Sequence, residues 1–530
     1  MLRILAVLLA LGLVLGLPFV FKPKQNMLSK ADDSLVIISP HNEAIRYEFT
    51  HAFSEYYQKK TGRSVRLDWR VVGGTSEISR YLRSEYLAAF QHEWESSGKK
   101  WNPEVEGAFD NPKLKLDAET PAQAQEAREA FLNSDRGIGI DIFFGGGAYD
   151  FTKQAQAGRL VPSNIFAKHP EWFTEKSLPE IVSGEVFYDS KGRWIGNCLS
   201  SFGICYNTDS LERLGVTEVP ASWKDLTNTR LLKQVALADP TKSGSAAKAF
   251  EMVIQQQMQE VVREAGAETP ESIGEGWERG LRLIQRASAN ARYFTDSAGK
   301  VPMDVSLGDA AMGMCIDFYG RYQSEAVKID PETPARLQYF TPVGGSSVGV
   351  DPIGLLRGAP HPEVAELFIE FVLSIEGQKL WNFKVGTPGG PVRYALRRMP
   401  VRKELYEEKY VQYRSDPTVE PYEEAKKFDY HAAWTGPLFG PMSFIIRIMC
   451  LDPHQEQVAA WKALIEADFP PEATKKFDDL SLVSYALTKE KIKPALGAPN
   501  RLEEVRLAKT LGDQFREKYA EVVRLAGEGK

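Results

Sequence analysis

Only four cysteines occur in the 530 residues, Cys198, Cys205, Cys315 and Cys450. None forms a Cys-x-x-Cys pair or stands at a zinc-ligand spacing, which excludes a thioredoxin-like redox motif and a structural zinc site. Cys198 and Cys205 are near enough in sequence to pair, and they read more naturally as two buried free thiols. The seven histidines are scattered with no His-x-x-x-His, so a helical metalloprotease site is excluded. Basic residues form no stripe and the net charge is −6, which argues against nucleic acid as a partner. No internal repeat is present, so a solenoid is excluded. Cys205 and Cys315 are embedded in strand-like runs, and no Cys–His or Ser–His–Asp arrangement can be placed. With no nucleophile beside a base, the chain reads as a non-enzyme with no cofactor and no metal.

What is present begins at the N-terminus. Arg3 precedes an apolar run from Ile4 to Phe21, and Lys22 and Lys24 follow it. A basic start and an apolar core make an export signal. No Ala-x-Ala-like cleavage site follows, and the 18-residue run is just long enough to span a bilayer. Residues 1–24 are therefore either a cleaved signal peptide or a retained anchor, and the rest of the chain works beyond the cytoplasmic membrane. Ser443-Phe-Ile-Ile-Arg-Ile-Met-Cys450 is too short for a second span and contains Arg447. With 43% hydrophobic and 26% charged residues the chain can bury a large core, and its length predicts two or more lobes.

The organising stretch is Val235-Ala-Leu-Ala-Asp-Pro-Thr-Lys-Ser-Gly-Ser-Ala-Ala-Lys-Ala-Phe250. Val235 to Ala238 is a short buried strand, Asp239-Pro240 breaks it, and Phe250, Val253, Ile254, Met258 and Val261 repeat as one face of a helix. Thr241, Ser243 and Ser245 surround Gly244 between the two. Hydroxyls, free N–H groups and the positive end of a helix dipole meet there, a ready site for an anion. The plainer alternative is that Ser243 only caps the helix.

The same strand, polar turn and helix recur earlier. Leu35 to Ser39 is a strand followed by Pro40, His41, Asn42 and Glu43; Val65 to Val71 is a second, followed by Gly73-Gly-Thr-Ser-Glu77. Ile138 to Phe144 is a third, followed by Gly145, Gly146 and Gly147, whose backbone can approach a ligand closely. In an open parallel sheet, ligands bind at such strand ends. Residues 86–130 read as an inserted region of mixed helix and loop. Trp194 to Tyr206 is a long extended segment suited to connecting lobes, and Met312 to Ile316 is a strand ending in Asp317, Phe318 and Tyr319. Val348 to Leu356 is another strand, Pro362 to Leu380 an amphipathic helix, and the last 130 residues are helical and charged.

Taken together these marks resemble the type II extracytoplasmic solute-binding proteins of ABC importers, in the branch of the ferric-iron-binding proteins. The resemblance covers roughly residues 34–400 and rests on Ser39-Pro-His-Asn-Glu43, Gly73-Gly-Thr-Ser-Glu77, Asp141-Ile-Phe-Phe-Gly-Gly-Gly147 and Ile204-Cys-Tyr-Asn-Thr-Asp209. Asp239-Pro-Thr-Lys-Ser-Gly-Ser245, Gly308-Asp-Ala-Ala and Glu376-Gly-Gln378 extend it. It implies a two-lobed α/β fold of the periplasmic-binding-protein-like II type, joined by crossover hinge strands, with a mostly helical C-terminal extension. Lobe one is then 34–203 with a return over 341–400, lobe two 204–340, and the extension 401–530. The expected location is the periplasm or cell envelope, and the expected partners are a small-molecule solute, an ABC permease and its ATPase, with membrane association only through the N-terminal segment.

The resemblance also tests the ligand. Iron binders of this branch use a His after the first strand, a Glu after the third, a Tyr-Tyr pair in lobe two, and an anion at a Ser-Gly helix start. Here His41 and the run Ser243, Gly244, Ser245 match, the Glu place falls within Gly145–Gly147, and the tyrosine pair becomes Phe318-Tyr319. One phenolate and one imidazole are a poor set for a hard cation, unless Asp317 or Tyr322 substitutes. The implied solute is an organic phosphate, phosphonate or carboxylate, with ferric iron as the alternative and a membrane-anchored sensor on the same fold as a further one. The implied binding residues are His41, Asn42, Glu43, Thr75, Ser76, Gly146, Gly147, Ser243, Gly244, Ser245, Asp317, Phe318 and Tyr319. Asp317 would meet ligand hydroxyls or an amine.

Overall fold

The computed structural model describes residues 31–528 except 118, 331–332 and 498–500. The apolar run from Ile4 to Phe21, on which the export signal rests, lies outside the described residues.

Fourteen strands are formed among the described residues: β1 (Asp33–Ile38), β2 (Val65–Arg70), β3 (Ile142–Phe144), β4 (Leu160–Val161), β5 (Ile181–Val182), β6 (Glu185–Val186), β7 (Ile195–Ser200), β8 (Phe202–Asn207), β9 (Val235–Ala238), β10 (Ala291–Thr295), β11 (Met312–Ile316), β12 (Leu337–Phe340), β13 (Gly349–Leu356) and β14 (Met399–Pro400). One sheet has the order β14-β7-β13-β3-β1-β2 with β4 on β13, the other β10-β9-β11-β8-β12, and β5 and β6 make a small hairpin. Within the first sheet β2, β1 and β3 run parallel while β13, β7 and β14 pair antiparallel. Ser201 alone separates β7 from β8, so the chain steps between sheets in one residue and returns over 341–348 from β12 to β13. These two crossings give a two-lobed α/β fold with hinge strands. Central strands such as β9 and β11 are buried at every residue, which explains why they read as continuous apolar runs.

Helices follow the strand ends: α1 (Glu43–Thr61) after β1, α2 (Thr75–Ser96) after β2, α3 (Ala148–Ala157) after β3, α4 (Gly244–Ala265) after β9, then α5 (Pro270–Ala289), and α6 (Asp317–Ala326) after β11. Local chemistry sets their ends. The Asn42 side chain accepts the Ile45 N–H at 3.1 Å to start α1, and Gly62 at φ 74° ends it. Gly276 and Gly280 let α5 lie against α4: a Cβ on them would stand 2.4 Å from Met258 Cα and 2.6 Å from Ile254 Cα.

Several elements differ from the sequence expectation. The strand read from Ile138 is ordered as strand only over Ile142–Phe144, where β1 and β13 flank it. The helix expected from Pro362 to Leu380 is two helices, Pro362–Leu373 and Ile375–Asn382, because Ser374 leaves the helical conformation and its hydroxyl caps the second. Within 86–130, α2 continues to Ser96 and helices follow at Pro103–Ala108 and Ala122–Asn133. All four cysteines are free and buried.

The region after residue 400 is substantially helical and is not a separate bead. Its apolar segment is longer than the sequence suggested: Ala432–Leu451 is one helical stretch long and apolar enough, by length and composition alone, to cross a membrane, but it is mostly buried inside the molecule. The extension meets the lobes at Lys248. The Lys248 ammonium lies 2.9 Å from both Glu185 and Glu251 and 3.7 Å above the Tyr430 ring. Tyr430 and Thr435 donate their hydroxyls to Glu251 at 2.9 and 2.5 Å, and Ser347 donates to Glu185 at 2.5 Å. Burial works against the Lys248 charge, but Glu185 and Glu251 hold its pKa well above the ordinary lysine value. The last helix, α7 (Arg501–Glu528), buries Phe515, Tyr519 and Val522, and Tyr519 donates to the Met449 carbonyl at 2.8 Å.

Two predictions follow from these buried charges. Glu251→Ala leaves Lys248 without one of its two carboxylates in a buried setting, and should cost about 3–5 kcal/mol in denaturant unfolding; an unfolding midpoint unchanged from wild type contradicts it. Lys518 on α7 is 6% exposed and donates to the Asp479 carbonyl at 2.6 Å. Burial pushes its pKa down to about 7, against Asp479, Asp478 and Cys450 nearby and with Lys476 adding to the fall. Unfolded, the same lysine titrates near ~10.4. The unfolded chain therefore holds more protons between these values, and native stability contributed by this group rises with pH across that window. Lys518→Met should be more stable than wild type at pH 7 by a margin that shrinks toward pH ~10. A margin independent of pH contradicts it.

Candidate functional site

Every residue expected at the site lies where a strand gives way to a helix. After β1, the His41 N–H donates to the Ser39 hydroxyl at 3.0 Å and the residue is 4% exposed. Asn42 uses its side chain to cap α1, and Glu43 is exposed in the first turn. After β2, Gly74 precedes α2, with its N–H on Glu77 Oε2 at 3.0 Å; Thr75 is buried and Ser76 half-buried. After β3, Gly145 and Gly146 take φ values of 88° and 125°, and Gly147 precedes α3. A Cβ on Gly145 would stand 2.4 Å from the His41 ring, and one on Gly146 2.5 Å from Thr75 Cγ2. The glycines therefore pack on those two side chains.

In the second lobe the hydroxyls are divided between tasks. Asp239 accepts both the Thr241 N–H and hydroxyl, at 2.8 and 2.7 Å. Ser243 caps α4 by accepting the Ala246 N–H at 3.2 Å. Thr241 and Ser243 are thus committed to the turn itself. Ser245 is half-buried in the first turn of α4. The N–H groups of Gly244 and Ser245 have no acceptor among the described residues. They are the orphan donors of a 22-residue helix.

The two lobes meet at these turns. A Cβ on Gly74 would lie 2.8 Å from the Lys242 carbonyl oxygen, and one on Gly244 would lie 3.6 Å from both Thr75 Cβ and Asp150 Oδ2. The starts of α2, α3 and α4 converge here, each contributing a positive dipole end.

At the start of α6 the structure departs from expectation. Asp317 is 2% exposed, its carboxylate is ion-paired with Arg321, and it also accepts the Phe318 N–H at 2.8 Å. Burial raises its pKa against the pull of Arg321 and Arg398. It is therefore held within the protein rather than turned to ligand hydroxyls or an amine. Phe318 lies under the Arg398 guanidinium, 4.2 Å away. Tyr319 is half-buried beside Gly299, where a Cβ would stand 3.2 Å from its ring, and burial raises its phenol pKa.

Sequence reasoning missed Arg398. It is 1% exposed, reaches Asp351 at 2.7 Å and Ser200 at 2.6 Å, and approaches His41 Nε2 at 3.3 Å. Its only signal was a pair of arginines before a two-residue strand, which carries no period. Asp150 was also missed, an acid in the first turn after the glycine run. The Arg398 Nε and His41 Nδ1 atoms are buried without a hydrogen-bond partner. Because a guanidinium only donates, Nε2 of His41 accepts and Nδ1 carries the proton. Burial, with Arg398 and Arg46 adding to it, lowers the His41 pKa well below the ordinary value. Among the described residues no three His, Cys, Asp or Glu side chains stand together as a metal site.

With this geometry in hand, comparison with known proteins is informative. A family model described as bacterial extracellular solute-binding protein matches residues 139–404, half of the chain. An uncharacterized protein of Haemophilus influenzae is 28% identical over 244 residues, 45% of this chain and 60% of that one. The chain thus spans about 60% of the length of the curated relative it matches. Among solved structures, the periplasmic binding protein AfuA of Actinobacillus pleuropneumoniae, with fructose-6-phosphate bound, is similar at TM-score 0.47 and 16% identity, over 71% of this chain and 86% of that one. Iron-bound HitA of Pseudomonas aeruginosa is similar at TM-score 0.45 and 16% identity, over 77% of this chain and 98% of that one.

The His41 tautomer gives a direct check. Long-range nitrogen–proton NMR should report one histidine that keeps a neutral ring with the proton on Nδ1 from pH 8 down to about 5.5. Assignment by His41→Gln should remove that signal, and titration of the same ring near ~6.5 contradicts the geometry.

Proposed function

Because the chain belongs to the bacterial extracellular solute-binding proteins, we propose that it captures a small anionic solute between its two lobes and delivers it to an ABC permease driven by an ATPase. The solute class we assign is an organic phosphate, phosphonate or carboxylate. Family membership carries an extracytoplasmic location in the cell envelope; we further propose that residues 1–24 direct export there, either cleaved or kept as an anchor. In this reading residues 34–203 and 341–400 make lobe one, residues 204–340 make lobe two, and Ser201 and 341–348 are the hinge.

One observation supports the anionic class above the others. The Gly244 and Ser245 N–H groups end a helix dipole and have no acceptor among the described residues, and Gly244 stands close to Thr75 of lobe one. Charge-assisted hydrogen bonds from such donors contribute roughly 1.5–3 kcal/mol each. Ferric iron is the weaker reading, since Asp317 is tied to Arg321 and the Glu place is occupied by glycines.

In this account Ser243 serves the helix and Ser245 the solute. Ser243→Ala should cost about 1 kcal/mol of stability with little change in affinity. Ser245→Ala should weaken the solute that copurifies with the protein by about tenfold, and Gly244→Asp by about a hundredfold or more, because it puts a carboxylate where the anion belongs. Calorimetric titration beside a melting curve checks all three, and near-native affinity in Gly244→Asp contradicts the assignment.

A further inference from the structure

The start of α4 holds more than donors. Asp150, in the first turn of α3 on the opposite lobe, is 8% exposed. Its Oδ1 takes the Ser79 hydroxyl at 2.8 Å, and its backbone N–H is fixed on the Gly147 carbonyl at 3.1 Å. Oδ2 has no hydrogen-bond donor among the described residues, and it lies 3.6 Å from the point where a Cβ on Gly244 would stand. A carboxylate oxygen without a protein donor therefore stands at the same helix start as the two unclaimed N–H groups and the Thr75 side chain. Donors alone would accept any oxyanion. Donors with one fixed carboxylate acceptor would not.

We propose that this subsite selects oxyanions able to carry a proton, namely phosphate esters and phosphonates, over sulfates, sulfonates and carboxylates, and that Asp150 makes the selection. The proposal rests on the reading above that an anion binds at the α4 start. An ionised carboxylate has only lone pairs, so it meets the lone pairs of a fully ionised oxyanion with repulsion. A P–OH group instead donates to it, giving a short, charge-assisted hydrogen bond. Phosphate monoesters lose their second proton near ~6 and keep a proton easily when an acceptor holds it, whereas sulfonates have none to offer near neutrality. Ser79 keeps the carboxylate from turning away. A site that demands a hydrogen-bond donor discriminates far more strongly than one that senses only shape.

The test uses the full chain and a pair of probes alike in size and tetrahedral shape, methylphosphonate and methanesulfonate. Titration followed by calorimetry or NMR should give the wild type a preference for methylphosphonate of about a hundredfold. Asp150→Asn keeps the shape and offers an N–H₂ donor, so methanesulfonate binding should improve and the preference should fall to within a few fold, with the melting temperature near that of wild type. Asp150→Ala supplies a second variant in case the amide perturbs the turn, and it too should lose the preference. Equal binding of both probes by the wild type, or a preference that survives in both variants, overturns the role of Asp150 while leaving the anion reading intact. Binding of neither probe overturns the anion reading and this inference with it.

Discussion

The ammonium of Lys248 joins pieces of chain that are remote in sequence. It stands in α4 a little over one turn from Ser243, and its ion pairs reach Glu185 in the β5–β6 hairpin and Glu251 on α4 itself. Through those carboxylates it holds Ser347 in the return crossover and Tyr430 and Thr435 in the extension. A carboxylate as buried as Glu251 persists only where its partners are fixed. The orientation of the α4 start, and with it the direction of its two free N–H groups, therefore depends on a cluster that also spans the hinge.

That dependence bears on how the lobes move. The extension touches both helices whose starts face each other: Phe439 packs on Tyr149 of α3 with ring centroids 4.4 Å apart, while Tyr430, Thr435 and the His431 backbone bond to α4. Two-lobed binding folds work by hinge closure, with a few residues absorbing the change. In this molecule the residues between β7 and β8 are reduced to Ser201, and the region after residue 400 packs on both lobes. If the lobes part between Gly74 and Lys242, as the proposed function requires, the extension would have to travel with one lobe or slide along the other.

The sequence was readable wherever one local rule sufficed. Val235 to Ala238 is a strand because four apolar residues end at Asp-Pro, and its bounds in the structure are the same. Asn42 and Ser243 stand where helices begin, and both cap them. The glycine run after β3 was correctly placed in a turn, but its tight contacts are with His41 and Thr75, which no spacing reveals. Arg398 and Asp150 escaped notice because their roles come from tertiary partners: Asp351 and His41 for one, Ser79 and Gly244 for the other. Asp317 looked like a ligand group because it follows a strand end, and Arg321 one helical turn later already claims it. The break at Ser374 interrupts an otherwise helical apolar pattern that gave no hint of it.

The most direct test of the account is a crystal structure of the protein isolated from its own cells with its solute retained. The account predicts a small organic anion in the cleft, with an anionic oxygen within about 3.2 Å of the Gly244 and Ser245 amide nitrogens. A ferric ion in that cleft, or a solute whose anionic group lies away from the start of α4, contradicts it.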